Sequence, residues 1–217
     1  LRCRIFGVFR RFYGRIDFKL SLYITIGEYM ILAGIDYSYT SPAICVFDTT
    51  KELAFHTLKF YNMNDKKKLA GFYGIGGNVR IDTFPEYKTQ EQRFRNICDW
   101  ASSVLIANGV DEVCIEGYSF GATSGLVFNI AENASLIKQF MDVRGTPFTT
   151  PTPSQVKKNH TGKGNSKKDV MVDKFHEIFS VKMHELLGVK EMAKPIDDLV
   201  DSYAVLKCHS YFNEVKQ

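Results

Sequence analysis

A single tryptophan, six prolines and five cysteines with no C-x-x-C spacing leave this 217-residue chain few staples and few stiffeners. Cys3, Cys45, Cys98, Cys114 and Cys208 are odd in number, and Cys98 and Cys114 fall inside expected secondary structure. A zinc site or a disulfide framework is therefore set aside, and buried reduced thiols of a cytoplasmic protein are expected. No apolar run is long enough to cross a membrane. No G-x-G-x-x-G is present: Gly74 to Gly77 reads G-I-G-G with no helix pattern behind it, which describes a flexible loop rather than a nucleotide site. The segment G-K-G-N-S-K-K at Gly162 to Lys168 also fails the P-loop pattern.

Net charge is missing from most of the chain as well. Residues 1–29 hold Arg2, Arg4, Arg10, Arg11, Arg15 and Lys19 against Asp17 and Glu28, which accounts for the whole formal charge of +4. The other 188 residues carry 22 basic and 22 acidic side chains, so any hold on a polyanion must come from local clusters. The first 29 residues lack an initiator Met and carry five of the nine arginines. They read as an upstream extension foreign to the domain, with a basic nucleic-acid-binding arm as the alternative. The run Leu20 to Ile26 has the outline of a signal peptide, but Glu28 interrupts it and no small-residue cleavage site follows.

What is present begins with Met30 to Thr40, M-I-L-A-G-I-D-Y-S-Y-T. Its apolar run reads as a strand buried on both faces that delivers one carboxylate, Asp36, at its end. Residues 42–47 and 52–60 read as two further strands, the second from the alternation of Leu53, Phe55, Thr57 and Lys59, with His56 as a satisfied structural histidine. Residues 61–87 read as a polar loop. A helix opens at Thr89 with Gln92 completing a capping box, carries Phe94, Ile97, Ala101, Val104 and Leu105 on one stripe, and stops at Gly109. Trp100 lies off that stripe and is free to cap the sheet or face a partner. Residues 111–116 read as a short strand ending in Glu116. A helix is expected over 124–141, then an extended edge segment over 146–152. The lysine-rich run Gln155 to Lys168 contains no acid. It leads into one amphipathic helix ending near Gly188 and a last helix after Pro195.

Four acids stand out by position. Asp36 and Glu116 end apolar strands, while Asp198 and Asp201 are three apart on a helix and face the same way. Asp197, one residue off that face, is placed to cap the helix N-terminus. Each acid alone is as well explained as a solvated or capping residue. Four that converge would repel unless cations neutralise them, and all-oxygen ligation selects hard ions such as Mg²⁺ or Mn²⁺. Lysines nearby would hold a phosphate backbone.

The order G-I-D at Gly34 to Asp36, C-I-E at Cys114 to Glu116, T-P-S-Q-V-K at Thr152 to Lys157, G-K-G-N-S-K-K and D-L-V-D-S-Y-A at Asp198 to Ala204 resembles the RuvC family of Holliday junction resolvases, in the RNase H-like superfamily. The run E-G-Y-S-F-G at Glu116 to Gly121 is closer to the phage-encoded branch. The resemblance runs from about Met30 to Phe212. It implies an α/β fold over residues 30–217: an RNase H-like mixed sheet, with an antiparallel meander of three strands plus parallel strands, and helices on both faces. It implies that Asp36, Glu116, Asp198 and Asp201 bind two Mg²⁺ ions, with Mn²⁺ as a substitute, and that Lys168 supports catalysis. Lys157 would contact DNA, and so would its neighbours Lys158, Lys163 and Lys167. Tyr118 and Phe120 occupy the turn where the family wedges an aromatic into the junction.

The function implied is a structure-selective endodeoxyribonuclease acting on four-way DNA as a homodimer, in the cytoplasm (the host's, if phage-encoded), with no small-molecule cofactor and no membrane. The alternatives are another RNase H-like nuclease cutting RNA–DNA hybrids or other branched DNA, and a non-catalytic junction-binding protein. A sugar or acetate kinase relative, suggested by G-I-D before Tyr, Ser and Thr, lacks the second lobe and the adenosine loop.

Overall fold

The computed structural model describes residues 29–118 and 126–214. The extension up to residue 28 and the loop position Phe120 lie outside the described residues. Among the described residues seven strands form one mixed sheet in the order β4-β5-β3-β2-β1-β6-β7. They are β1 (Ile31–Asp36), β2 (Ala43–Asp48), β3 (Lys59–Asn64), β4 (Gly71–Tyr73), β5 (Val79–Thr83), β6 (Glu112–Ile115) and β7 (Phe148–Thr149). β1, β2 and β3 make the antiparallel meander. β6 pairs parallel with β1, β7 with β6 and β5 with β3, while β4 closes one edge antiparallel to β5.

Because side chains alternate across a strand, each strand feeds two cores. On one face Ala33, Ile35, Ile44, Val46 and Met63 pack under α1 (Gln90–Asn108) and α2 (Leu126–Arg144). On the other face Leu32, Cys45, Phe47 and Phe60 meet the remaining helices. These are α3 (Pro153–Thr161), α4 (Lys168–Phe179), α5 (Met183–Leu187), α6 (Ile196–Leu206) and α7 (Tyr211–Glu214). The Thr89 hydroxyl accepts from the Gln92 amide and Gly109 ends α1 in the left-handed conformation, as predicted, but Gln92 Oε1 accepts from the Lys88 amide and does not close the expected box on Thr89. None of the described helices is long and apolar enough to cross a membrane.

The structure departs from the sequence reading in the middle of the chain. The expected strand over 52–60 is a loop with a 3-10 turn at Phe55–Thr57, held by Thr57 Oγ1 donating to the carbonyls of Glu52 and Ala54 at 2.7 and 2.8 Å. His56 on that turn is an exposed side chain 3.7 Å from Glu52, not a buried structural histidine. The expected polar loop 61–87 contains most of β3 and all of β4 and β5. The expected helix ending at Gly188 is two helices, α4 and α5, parted where Ser180 takes a positive φ of 53°. α2 runs on to Arg144, and the edge segment pairs only at Phe148 and Thr149. Trp100 Nε1 donates to Asp82 Oδ2 at 2.9 Å, fastening α1 to β5. Cys45, Cys98, Cys114 and Cys208 are free thiols, Cys45 and Cys114 fully buried.

Candidate active site

The two strand-end acids owe their shared face to register. Asp36 alternates with Leu32 and Gly34 and so points to the face that α6 covers. β6 runs parallel to β1 with Ile35 opposite Ile115, and the Glu116 amide donates to the Ile35 carbonyl at 3.0 Å. Glu116 therefore leaves the sheet beside Asp36 and on the same side. α6 crosses β1 at Gly34, where a Cβ would lie 2.2 Å from the Leu206 nitrogen and 2.4 Å from the Ser202 carbonyl oxygen. That close approach brings the turn of α6 carrying Asp198 and Asp201 over the end of β1.

The electrostatics record the convergence. Burial, then the neighbouring carboxylates of Asp201, Glu116 and Asp198, raise Asp36 well above the usual carboxylate range, with Lys168 opposing. Glu116 is pushed up to about 7 by burial and by Asp201, against Lys157 and Lys168. Asp201 is pushed up to about 6, first by burial; Lys168 opposes, and Asp197 and Asp198 add to the rise. Burial and Asp197 raise Asp198, while Ser41 and Lys194 pull it back.

Asp197 was expected to cap α6, but the cap position is Pro195 and no side chain bonds there. Its carboxylate instead binds the Lys168 ammonium directly. Burial alone would lower Lys168; Asp197, with Asp201 and Asp198, outweighs it and raises its pKa. The lysine expected at the phosphate thus rests on a buried acid inside the cluster, so five carboxylates rather than four surround the site. The only sequence hint of Asp197's part is its place in the first turn of α6.

The lysines divide. Lys157 and Lys168 act on the acids electrostatically. Lys163 and Lys167 are exposed on the loop between α3 and α4, where Thr161 and Ser166 hydroxyls meet at 2.6 Å and Ser166 Oγ donates to the Lys163 carbonyl. Lys158 lines a different cavity, with Thr149, Asn159 and His209. Tyr118 is half-buried against α2, its ring under the Lys138 ammonium at 4.7 Å. Sequence reasoning also passed over Arg93. This buried guanidinium donates to the Tyr39 carbonyl at 3.1 Å and lies among the rings of Tyr39, Phe84 and Tyr87, pinning the turn that follows Asp36.

These donors suit a hard divalent cation. They are all oxygen, burial and then mutual repulsion raise Asp36, Glu116, Asp198 and Asp201, and two buried carboxylate oxygens, Asp197 Oδ1 and Asp198 Oδ2, have no hydrogen-bond partner. Among the described residues, no group of three acids, histidines or cysteines is already drawn tightly enough to hold an ion. Lys168 and Lys194 neutralise Asp197 and Asp198 as the site stands.

No protein-family model matches the chain. Among curated proteins it is similar to the crossover junction endodeoxyribonuclease RuvC of Campylobacter curvus, 28% identical over 161 residues that cover 70% of this chain and 96% of that protein. It is also similar to the RuvC of Campylobacter lari, 30% identical over 128 residues, 58% of this chain and 75% of that protein. Among solved structures, Thermus thermophilus RuvC aligns with a TM-score of 0.54 at 18% identity, covering 86% of this chain and 97% of that one. The same protein in complex with Holliday junction substrate aligns with a TM-score of 0.57 at 17% identity, covering 87% and 97%. The structural likeness speaks for the fold and the sequence relatives for descent.

Proposed function

The chain belongs to the RuvC family of crossover junction endodeoxyribonucleases, and on that premise we propose that it resolves four-way DNA junctions by hydrolysing a phosphodiester in each of two strands. What carries this reading is the gathering of Asp36, Glu116, Asp198 and Asp201 at the ends of β1 and β6 and the start of α6, with Lys157 and Lys168 against them. Asp36, Glu116, Asp198 and Asp201 would hold two Mg²⁺ ions (or Mn²⁺), which would supply an activated water and charge stabilisation for the leaving oxygen.

The chain's own residues do the rest. The four carboxylates hold the cations, and Asp197 keeps the Lys168 ammonium oriented and charged. Lys157 and Lys168 offset the charge that builds on the phosphate. Lys158, Lys163 and Lys167 hold the flanking backbone, which sets position rather than sequence. Tyr118 lines the approach to the branch point. The products are a 5′-phosphate and a 3′-hydroxyl.

Cutting two strands symmetrically calls for two sites, and we assign the second to another copy of this chain docked along α1 and α2. Between these helices runs a groove of about 970 Å³ lined by Phe94, Leu136, Phe140 and Val143. Phe128 and Val143 of α2 are 74% and 81% exposed. Val143→Asp is expected to weaken self-association at least about tenfold, roughly the worth of one buried aliphatic side chain. Sedimentation equilibrium reads this, and an unchanged mass would remove the groove from the interface.

The deciding experiment is cleavage of a labelled synthetic four-way junction in Mg²⁺, beside a linear duplex and an RNA–DNA hybrid. Paired symmetric nicks near the branch point are expected. Hybrid cutting in their place would keep the fold and change the substrate. Tight junction binding without cutting would leave a binding protein.

A further inference from the structure

β3 lies on the sheet next to β2, and its Phe60 fills the face under α6 with hydrocarbon. The next two positions on that face are Asn62 and Asn64, both buried, Asn62 with no exposed surface at all. Apolar side chains would fill the same space without the burden of desolvating two amides. The amides are instead used in series. Asn62 Nδ2 donates to Ser41 Oγ at 3.0 Å and to the Pro42 carbonyl at 3.1 Å. Its Oδ1 accepts from Asn64 Nδ2 at 2.6 Å, and Asn64 Oδ1 accepts from the Lys66 amide at 2.7 Å.

From there the Lys66 ammonium donates to the Lys194 carbonyl at 2.9 Å, two residues ahead of α6. Lys194 Nζ reaches Asp198 Oδ1 at 3.3 Å. The other end of the series, Ser41, stands beside the same Asp198. Both ends of one polar circuit therefore converge on one carboxylate, and the circuit spans the turn after Asp36, the end of β3 and the entry to α6.

We propose that Asn62, Asn64 and Lys66 are positioning residues for the metal site, setting the separation of Asp36 and Asp198 by fastening the 38–42 turn and the start of α6 to the end of β3. They touch neither DNA nor metal in this role. They act by holding Asp198 with Oδ2 turned to no protein partner. The inference rests on the nuclease reading of the acids, and partners of metal ligands of this kind typically govern metal affinity or activity by about 10–100-fold.

The test uses the full chain with Asn62→Leu, which keeps the branched shape and the number of heavy atoms and removes both ends of the amide bridge. Mn²⁺ affinity is measured by titration calorimetry, single-turnover junction cleavage at saturating protein, and junction affinity in Ca²⁺. Expected are a loss of Mn²⁺ affinity and of cleavage rate within that 10–100-fold range, with junction affinity within about twofold of the parent. A folded variant with parental Mn²⁺ affinity and rate would overturn the inference. So would losses confined to junction affinity.

Lys66→Met, at an exposed side chain, carries the test if Asn62→Leu does not fold. Weaker Mn²⁺ binding with an unchanged salt slope of junction binding supports positioning. A shallower salt slope with unchanged Mn²⁺ binding would make Lys66 a phosphate contact and overturn it. Because Mn²⁺ affinity is read without DNA, the inference and the nuclease reading can fail separately.

Discussion

Asp36→Asn is expected to lower junction cleavage at least about 10³-fold, and at the same time to raise the melting temperature of the metal-free protein at pH 8. Both outcomes come from one cause. Asp36 is held among Asp201, Glu116 and Asp198, and burial together with those charges raises its pKa. In the unfolded chain such carboxylates ionise near pH 4, roughly their unperturbed value. In the fold, Glu116 keeps its proton up to about 7 and Asp201 up to about 6. Between those limits the folded state binds more protons than the unfolded one. The stability contributed by these groups is therefore fully present below their unfolded pKa values and is lost as pH rises through about 6 to 7.

At pH 8 the metal-free fold opposes the ionisation of these crowded carboxylates, and an isosteric amide removes the one on which burial and three acidic neighbours all act. The gain of the variant over the parent should shrink as pH falls toward 5, and also when Mn²⁺ is added to the parent, since a bound cation stabilises only the fold that can hold it. Thermal melts at pH 5 and pH 8, with EDTA and with Mn²⁺, read this directly. A variant less stable than the parent at pH 8 in EDTA would mean that Lys168 and Lys194 already compensate the acids and that the cluster needs no cation.

Gly34→Ala is expected to destabilise the fold by about 3 kcal/mol or more, the upper end of what overpacking does. The Cβ it adds meets backbone atoms, Leu206 N at 2.2 Å and Ser202 O at 2.4 Å, which no rotamer change can move. α6 has to lift from β1, and both the buried stripe Leu199, Tyr203 and Leu206 and the acids at its first turns go with it. A displacement near 1 Å at a reacting centre can cost on the order of 10²-fold in rate. The remaining folded protein should therefore cut slowly even at low temperature. Urea unfolding at constant m-value gives the stability and single-turnover cleavage at 10 °C gives the rate. A midpoint shift worth less than about 1 kcal/mol would show that α6 is free to slide at this crossing.

The middle of the chain shows where local pattern misleads. Leu53, Phe55, Thr57 and Lys59 alternate as a strand should, yet the Thr57 hydroxyl bonds back to Glu52 and Ala54 and bends the segment into a 3-10 turn. The strand proper starts at Lys59, and its Asn62 and Asn64 look like loop residues until the turn after Asp36 and the entry to α6 are placed against them. Val79 to Thr83 is legible as a strand only when β3 and β4 lie on either side to complete its hydrogen bonds. One amphipathic stripe runs in the sequence through Ser180, because hydrophobic spacing resumes in phase beyond the break.

By itself the sequence determined what is written between near neighbours. An apolar run ends in Asp36, another ends in Glu116, and Asp198 and Asp201 stand one helical turn apart after a proline. A Thr89 cap opens α1, and a lysine run without acids precedes the last helices. Strand and helix periodicities are properties of a few consecutive residues, so they survive without the fold. Only the tertiary structure decided that Gly34 is where α6 presses on β1, that Lys168 rests on Asp197, that Arg93 pins the turn after Asp36, that Asn62 binds Ser41 in that turn, and that Lys66 reaches the carbonyl of Lys194 ahead of α6. Each of these is a distance between atoms dozens of residues apart in the chain, and such distances are set by how packed layers fit together, which no local period encodes.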